Sequence, residues 1–152
     1  MSLITEEIRA SASELYAGDE ICQTESKNLL TRMGLPNGLL PLIDMVECGY
    51  VEKTGFFWLT QKKKTEHKFE KIGRNFQYAA EVTGYVEKNK AKRLTGVKAK
   101  ELLIWLNVCD IYVDHPPTGK ITFKSPTGLT RTFPVSAFEL EEEPAAVKLL
   151  GN

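Results

Sequence analysis

"KELLIWLNVCDIYVD", residues 100–114, decides how the rest of the chain is read. Its apolar residues change step: Leu102, Ile104, Leu106 and Val108 lie on even positions, Ile111 and Val113 on odd ones. A helix here would carry β-branched Ile104, Val108, Ile111 and Val113 in one run, with Asn107 and Asp110 inside it, all weak helix formers. The same residues suit a strand. One extra residue near Val108-Cys109-Asp110, accommodated as a β-bulge, returns the later apolar set to the face of the earlier one. The first half is apolar on both parities, since Leu103 and Trp105 oppose Ile104 and Leu106. The segment is therefore expected to be one long, kinked strand, covered on both faces in the core by the N-terminal helices. The alternative is that one face is a ligand or partner surface.

Around this strand the chain has two textures. Residues 5–16 read as a helix, with Thr5 as cap, Glu6 and Glu7 at the positive end of its dipole, and Ile4, Ile8 and Leu15 on one face. A second helix is expected over 20–33, capped by Asp19 and stopped by Gly34, with Pro36 beyond. "LPNGLLP" (35–41) is a turn cluster. From about residue 44 the apolar period becomes two. "GYVEKTGFFWLT" (49–60) is a hairpin turning near Lys53-Thr54-Gly55, "HKFEKIG" (67–73) a weaker strand, and "NFQYAAEVTGYVE" (75–87) a strand bent at Gly84. "KNKAK" (88–92) reads as a solvated turn. "GKITFKSPTGLTRTFPVSAF" (119–138) is another hairpin, turning at Ser125-Pro126-Thr127-Gly128. The tail 141–152 is expected to be disordered. A helical start at 5–33 followed by short strands over 44–138 implies one mainly β domain spanning 1–140, an antiparallel β-barrel or roll with one or two N-terminal helices.

Composition supports a globular domain of 152 residues, 42% apolar and 26% charged, with formal net charge zero. The charge is unevenly spread. Residues 1–60 carry 4 Lys/Arg against 9 Asp/Glu, residues 61–100 carry 12 against 4, and residues 101–152 carry 4 against 7. Three cysteines, Cys22, Cys48 and Cys109, fit no disulfide framework and suggest a reducing compartment. The first residues lack the basic end and apolar centre of a secretory signal, so a cytoplasmic protein, at most peripheral to a membrane, is expected.

Catalytic patterns are absent from the sequence. There is no G-x-S-x-G, and Cys109 falls inside the apolar strand, where a cysteine acts as a small hydrophobe. His67 and His115 are far apart and match no metal spacing with the cysteines, so neither a metal nor a cofactor is expected. Asp110 is read as a backbone acceptor at the bulge. The basic island is the surface feature that suggests binding: Lys62, Lys63, Lys64, Lys68, Lys71 and Arg74, with Lys88, Lys90, Lys92 and Arg93 further on. Lysines also blunt sheet edges. As a site, the island suits an anionic head group or membrane surface better than nucleic acid, which is disfavoured by overall neutrality.

Four stretches carry a resemblance: "YAGDEICQTESKNLLTRMGLPNGLLPL", "GYVEKTGFFWLTQKKK", "LTGVKAKELLIWLNV" and "VDHPPTGKITFKSPTGLTRTFPVSAFE". Over residues 16–140 the chain resembles the plant family called domain of unknown function 538, also named for the trichome phenotype "smaller with variable branches". The resemblance implies a small β-rich domain preceded by helix. It also implies the activities suggested for that family: binding of lipid or other hydrophobic ligands, by analogy to bactericidal/permeability-increasing proteins, or chlorophyll ester hydrolysis. It brings no catalytic motif onto these positions. The functional expectation is a non-enzymatic domain whose interior or mouth takes a small hydrophobic or lipid-like ligand, with a membrane surface as a possible partner. The alternatives are an esterase acting on a pigment or lipid ester, and a protein-interaction module using a sheet edge.

Overall fold

Thr5 caps the first helix, its hydroxyl accepting the Ile8 N–H at 3.2 Å, yet that helix is short. In the computed structural model, which describes residues 2–140, α1 covers only Glu6–Ala10. The expected continuation to residue 16 is instead a strand, β1 (Glu14–Ala17), which pairs with β2 (Met45–Val51). Alternation at Leu15 and Tyr16 beside a ready partner strand outweighs a weak helical pattern. The second helix, α2 (Asp19–Arg32), stands nearly where expected but is capped differently. Gly18 is the N-cap, and the Asp19 carboxylate accepts the Met45 N–H at 2.9 Å, tying the helix to β2. Gly34, at φ 77°, ends the helix in the left-handed turn that glycine adopts without strain, and the Leu35 N–H reaches back to Leu30 O.

Eight further strands follow: β3 (Phe56–Gln61), β4 (Thr65–Phe69), β5 (Arg74–Glu87), β6 (Lys90–Glu101), β7 (Ile104–Asn107), β8 (Asp110–Val113), β9 (Lys120–Lys124) and β10 (Thr130–Pro134). All join one antiparallel sheet in the order β1-β2-β3-β5-β6-β8-β9-β10, with β4 added beside β5 and β7 beside β6. β1 and β10 do not meet, so the sheet is a roll and not a closed barrel. The expected disordered tail, 141–152, lies outside the described residues.

The opening segment is divided differently from the expectation. Lys100 and Glu101 end β6, Leu102 and Leu103 form a two-residue reversal, and β7 returns with Glu101 opposite Ile104 and Lys100 opposite Trp105. The step change at Val108-Cys109 is real: there the chain leaves its register with the end of β6 and passes into β8, which pairs β9 and the start of β6. The first half is not covered on both faces, and α2 packs against β1 and β2 instead. Leu102 and Leu103 are 89% and 90% exposed.

The solvated turn expected over 88–92 forms but is only Lys88-Asn89, between paired Glu87 and Lys90, and β6 starts at Lys90. The inward residues of β6, Ala91, Leu94, Val97 and Ala99, are spaced three, three and two apart: Arg93 (φ 51°) inserts a bulge, and at Gly96 (φ 80°) the register with β5 shifts, four β5 residues (79–82) standing against Gly96 alone. The interior is filled by side chains. Phe76, Tyr78, Phe57, Val82, Val97, Ile111 and Ile121 form its centre. The 35–42 loop, expected as a simple turn cluster, buries Leu35, Leu39, Leu40 and Leu42 in it. The Tyr78 hydroxyl donates to Leu39 O at 3.2 Å. A 3-10 helix, Val135–Phe138, plugs the remaining side with Phe138. A second small cluster on the outer face joins Trp58, Val51 and Phe56 to Ile4, Ile8 and Tyr85.

Candidate functional site

The register of the central strands assembles one end of the roll. Lys68 pairs Asn75 and Phe69 pairs Arg74 across β4 and β5, while Phe76 pairs Ala99 on β6. The last rungs of β5 and β6 therefore bring Arg74 beside Glu101, and β10 adds Arg131 from thirty residues further along the chain. Glu101 accepts from Arg74 Nη1 at 2.8 Å on one carboxylate oxygen, and from Arg131 Nη2 and Nε at 3.0 and 3.2 Å on the other. Arg74 also lies over the Phe133 ring, 5.4 Å from its centroid. Two guanidiniums share one carboxylate, so the cluster keeps one positive charge.

Beneath this cluster lies a cleft of about 40 Å³ with apolar walls from Phe76, Leu106, Val108, Phe123, Leu129 and Phe133. Its floor is the aromatic core: Phe76 and Phe123 lie 5.2 Å apart, and Phe123 and Phe133 5.8 Å apart. A wider, open depression of about 580 Å³ between the Asn89, Asp114–Lys120 and Ser136 segments is edged by exposed Lys120 and Glu139.

Hydrogen bonds from Arg131, and secondarily from Arg74, hold the Glu101 carboxyl below its ordinary value of 4.5, against the upward pull of burial. Asp19 is lowered by the Met45 N–H and the Gln23 side chain, and Glu87 by Lys92. A carboxyl whose folded value is depressed adds stability that is complete above its unfolded value and is lost as pH falls through the folded one. The urea midpoint is thus expected to drop between pH 5 and pH 3, at roughly the range where free carboxyls titrate. Replacing Glu101 with Gln should make that drop smaller, read as the difference between midpoints at pH 6 and pH 3.

Residues 26–139 match the model of a family described as "Protein of unknown function, DUF538". The chain belongs to this family. No curated protein and no solved structure gives a significant match. The matched span of this DUF538 chain contains the whole cleft and the Arg74–Glu101–Arg131 cluster, but not β1 or most of the first turns of α2.

The basic residues singled out in the sequence fall in two places. Lys62, Lys63 and Lys64 are exposed in the β3–β4 turn, next to Asp44, whose carbonyl accepts the Lys62 N–H. Lys68, Lys71 and Arg74 lie at the opposite end of β4, about 13 Å away at the usual rise per strand residue. Of the six only Arg74 lines the cleft; Lys68 and Lys71 share its end of the sheet without lining it, Lys71 Nζ donating to Ser136 O at 3.3 Å, and the first three stand apart. Glu101 and Arg131 escaped the sequence reading because only the β5–β6 and β9–β10 registers join them to Arg74. A visible signal was the "TRTF" alternation, which puts Arg131 and Phe133 on one face.

Groups with nucleophilic or basic chemistry do not gather here. His67 is exposed on β4 with its ring 4.6 Å from that of Phe69, and His115 is exposed in the loop before β9. Cys22 and Cys48 are both core residues although their sequence neighbours are polar, and Cys22 Sγ contacts Tyr16 O at 3.5 Å. Burial pushes all three thiols up, Cys48 most strongly. Among the described residues no cluster of His, Cys, Asp or Glu suits a metal, and no helix is long and apolar enough to cross a membrane.

Proposed function

We propose that this protein is a non-enzymatic binding domain for a small amphiphile with an apolar end and an anionic head. The observation that carries the reading is the cleft itself, with aromatic and aliphatic walls under a mouth held by two guanidiniums and one carboxylate. Ligand sites of this kind combine an apolar lining with few, fixed polar groups. Arg131 and Arg74 offer planar donors to a carboxylate, sulfate or phosphate oxygen. Glu101 holds both in place and would share them with the ligand. The cleft is small because the roll is filled. At about 40 Å³ it takes the end of an acyl chain or the edge of a ring, and not a whole lipid.

The test is calorimetric titration with three probes of equal chain length: laurate, dodecanol and dodecyltrimethylammonium. Laurate is expected to bind at least tenfold more tightly than either of the others. Arg131→Ala should remove most of that preference, and Val108→Phe, which fills the cleft, should weaken laurate itself. Equal binding of the three probes, or none, would end this reading.

A further inference from the structure

The apex of the β6–β7 hairpin is built against the ordinary rules of turns. A two-residue reversal between paired Glu101 and Ile104 needs a left-handed residue at its first position, where glycine is favoured. Here that residue is Leu102, at φ 56°. A bulky side chain in this region is strained. Leu102 and Leu103 are 89% and 90% exposed, and Ile104 follows at 59%. Three consecutive aliphatic residues thus stand in water at a convex tip, one of them in a conformation that glycine or asparagine would adopt with less strain. Among the described residues none covers Leu102 or Leu103.

The surroundings of the tip are ordered by distance from it. One rung back, Trp105 is half-buried and Lys100 lies over its ring, 5.8 Å from the centroid. Beside them are Lys68 and Arg74 on strand ends, Lys71 in the β4–β5 turn with its ammonium 3.3 Å from Ser136 O, and Arg131; Lys68 pairs with Glu70, and Arg74 and Arg131 with Glu101. An apolar apex, then an indole with a lysine, then a ring of cations is the sequence of environments met on entering an anionic bilayer: acyl chains, interface, head groups. Two rungs of strand span about 7 Å, which matches the depth at which interfacial segments bury their apolar side. A protein partner fits less well. Three side chains on a convex tip fall short of the roughly 800 Å² per partner that stable protein interfaces bury.

We infer that the protein docks on anionic membranes by inserting Leu102, Leu103 and Ile104, with Lys100, Lys71 and Lys68 on the head groups. This surface is separate from the cleft, although the same hairpin supplies one cleft wall, and docking does not depend on an amphiphile being bound.

The experiment is sedimentation of the full chain with large unilamellar vesicles of phosphatidylcholine alone, or with 30% phosphatidylserine. Binding is expected on the serine-containing vesicles only, and it should weaken as salt rises. Leu102→Gly/Leu103→Asn installs favoured turn residues, so its melting temperature should match or exceed that of the parent, while its vesicle partition should fall at least tenfold. Lys71→Glu/Lys100→Glu should lose a similar factor, since each cation near such a surface is worth roughly fivefold. Lys62→Glu/Lys63→Glu/Lys64→Glu, at the far end of β4, should bind like the parent. Quenching of Trp105 emission by brominated lipid provides a second readout. Four results would overturn docking through the tip: no sedimentation of the parent, undiminished binding by the double Leu variant, equal loss from the Lys62–Lys64 variant, or a parent that self-associates through the tip without vesicles. Laurate titration of the double Leu variant separates this from the amphiphile reading, because cleft binding should survive the loss of the tip.

Discussion

Phe138→Ala is expected to cost about 3–5 kcal/mol of folding stability, the largest effect of any single truncation considered. Phe138 is 1% exposed at the end of the 3-10 helix that closes the roll. Its ring meets Phe69 at 4.6 Å and Phe123 at 5.0 Å between centroids, and Phe76 and Phe133 at 6.2 Å. Removing it leaves a void whose walls come from four strands, and those walls cannot follow the shortened side chain inward. The backbone is also pinned, because the Gly38 N–H donates to Phe138 O at 2.8 Å. Both conditions favour the upper part of the range, since the cost of a cavity grows with how little it collapses. Set against a typical total of about 5–15 kcal/mol, this is a large share. Urea unfolding should show a lower midpoint with an unchanged slope, and Phe138→Leu should lose much less.

Gly49→Val should cost about 3 kcal/mol through crowding rather than through a cavity. Gly49 pairs Trp58 across β2 and β3, and the Trp58 indole lies over it, so that any Cβ at 49 would overlap the ring. The indole cannot step aside. It is 0% exposed, and its Nε1–H donates to Glu47 at 2.9 Å. That same carboxylate takes both its other bonds from Arg9 of α1, each at 2.6 Å. A valine at 49 therefore pushes on the strand pair and the α1 contact together. The near-ultraviolet circular dichroism of Trp58 should change with stability. Adding Trp58→Leu to Gly49→Ala should recover part of the loss, giving a favourable coupling between two sites that touch.

Much of the β architecture was legible because turn chemistry is local. The Lys53–Gly55 and Ser125–Gly128 reversals each announce themselves by residue type, and both hairpins form there. β6 was illegible for a defined reason: a bulge at Arg93 and a register shift against β5 at Gly96 give its core residues a three-three-two spacing that matches neither strand nor helix. The 102–103 reversal was hidden because its residues are the ones a turn avoids. Apolar pattern says that a side chain leaves water in some context, and does not say whether the context is this chain's core. The loop at 35–42 erred the other way, its Pro and Gly signals concealing four buried leucines. Of the cleft site, the sequence exposed Arg74 as part of a basic run but not Glu101, Arg131 or the apolar walls. Those are brought together only by pairing across long sequence separations, which a single sequence does not display.

The clasp between Arg9, Glu47 and Trp58 has a bearing on where the folding unit begins. The family span opens at residue 26, inside a helix. Everything before it, including the strand that shields one margin of the sheet and the short helix that roofs the outer indole, belongs to the same cooperative body. A fragment trimmed to the matched span would bare a tryptophan and an unpaired strand margin at once, and such a fragment is expected to aggregate.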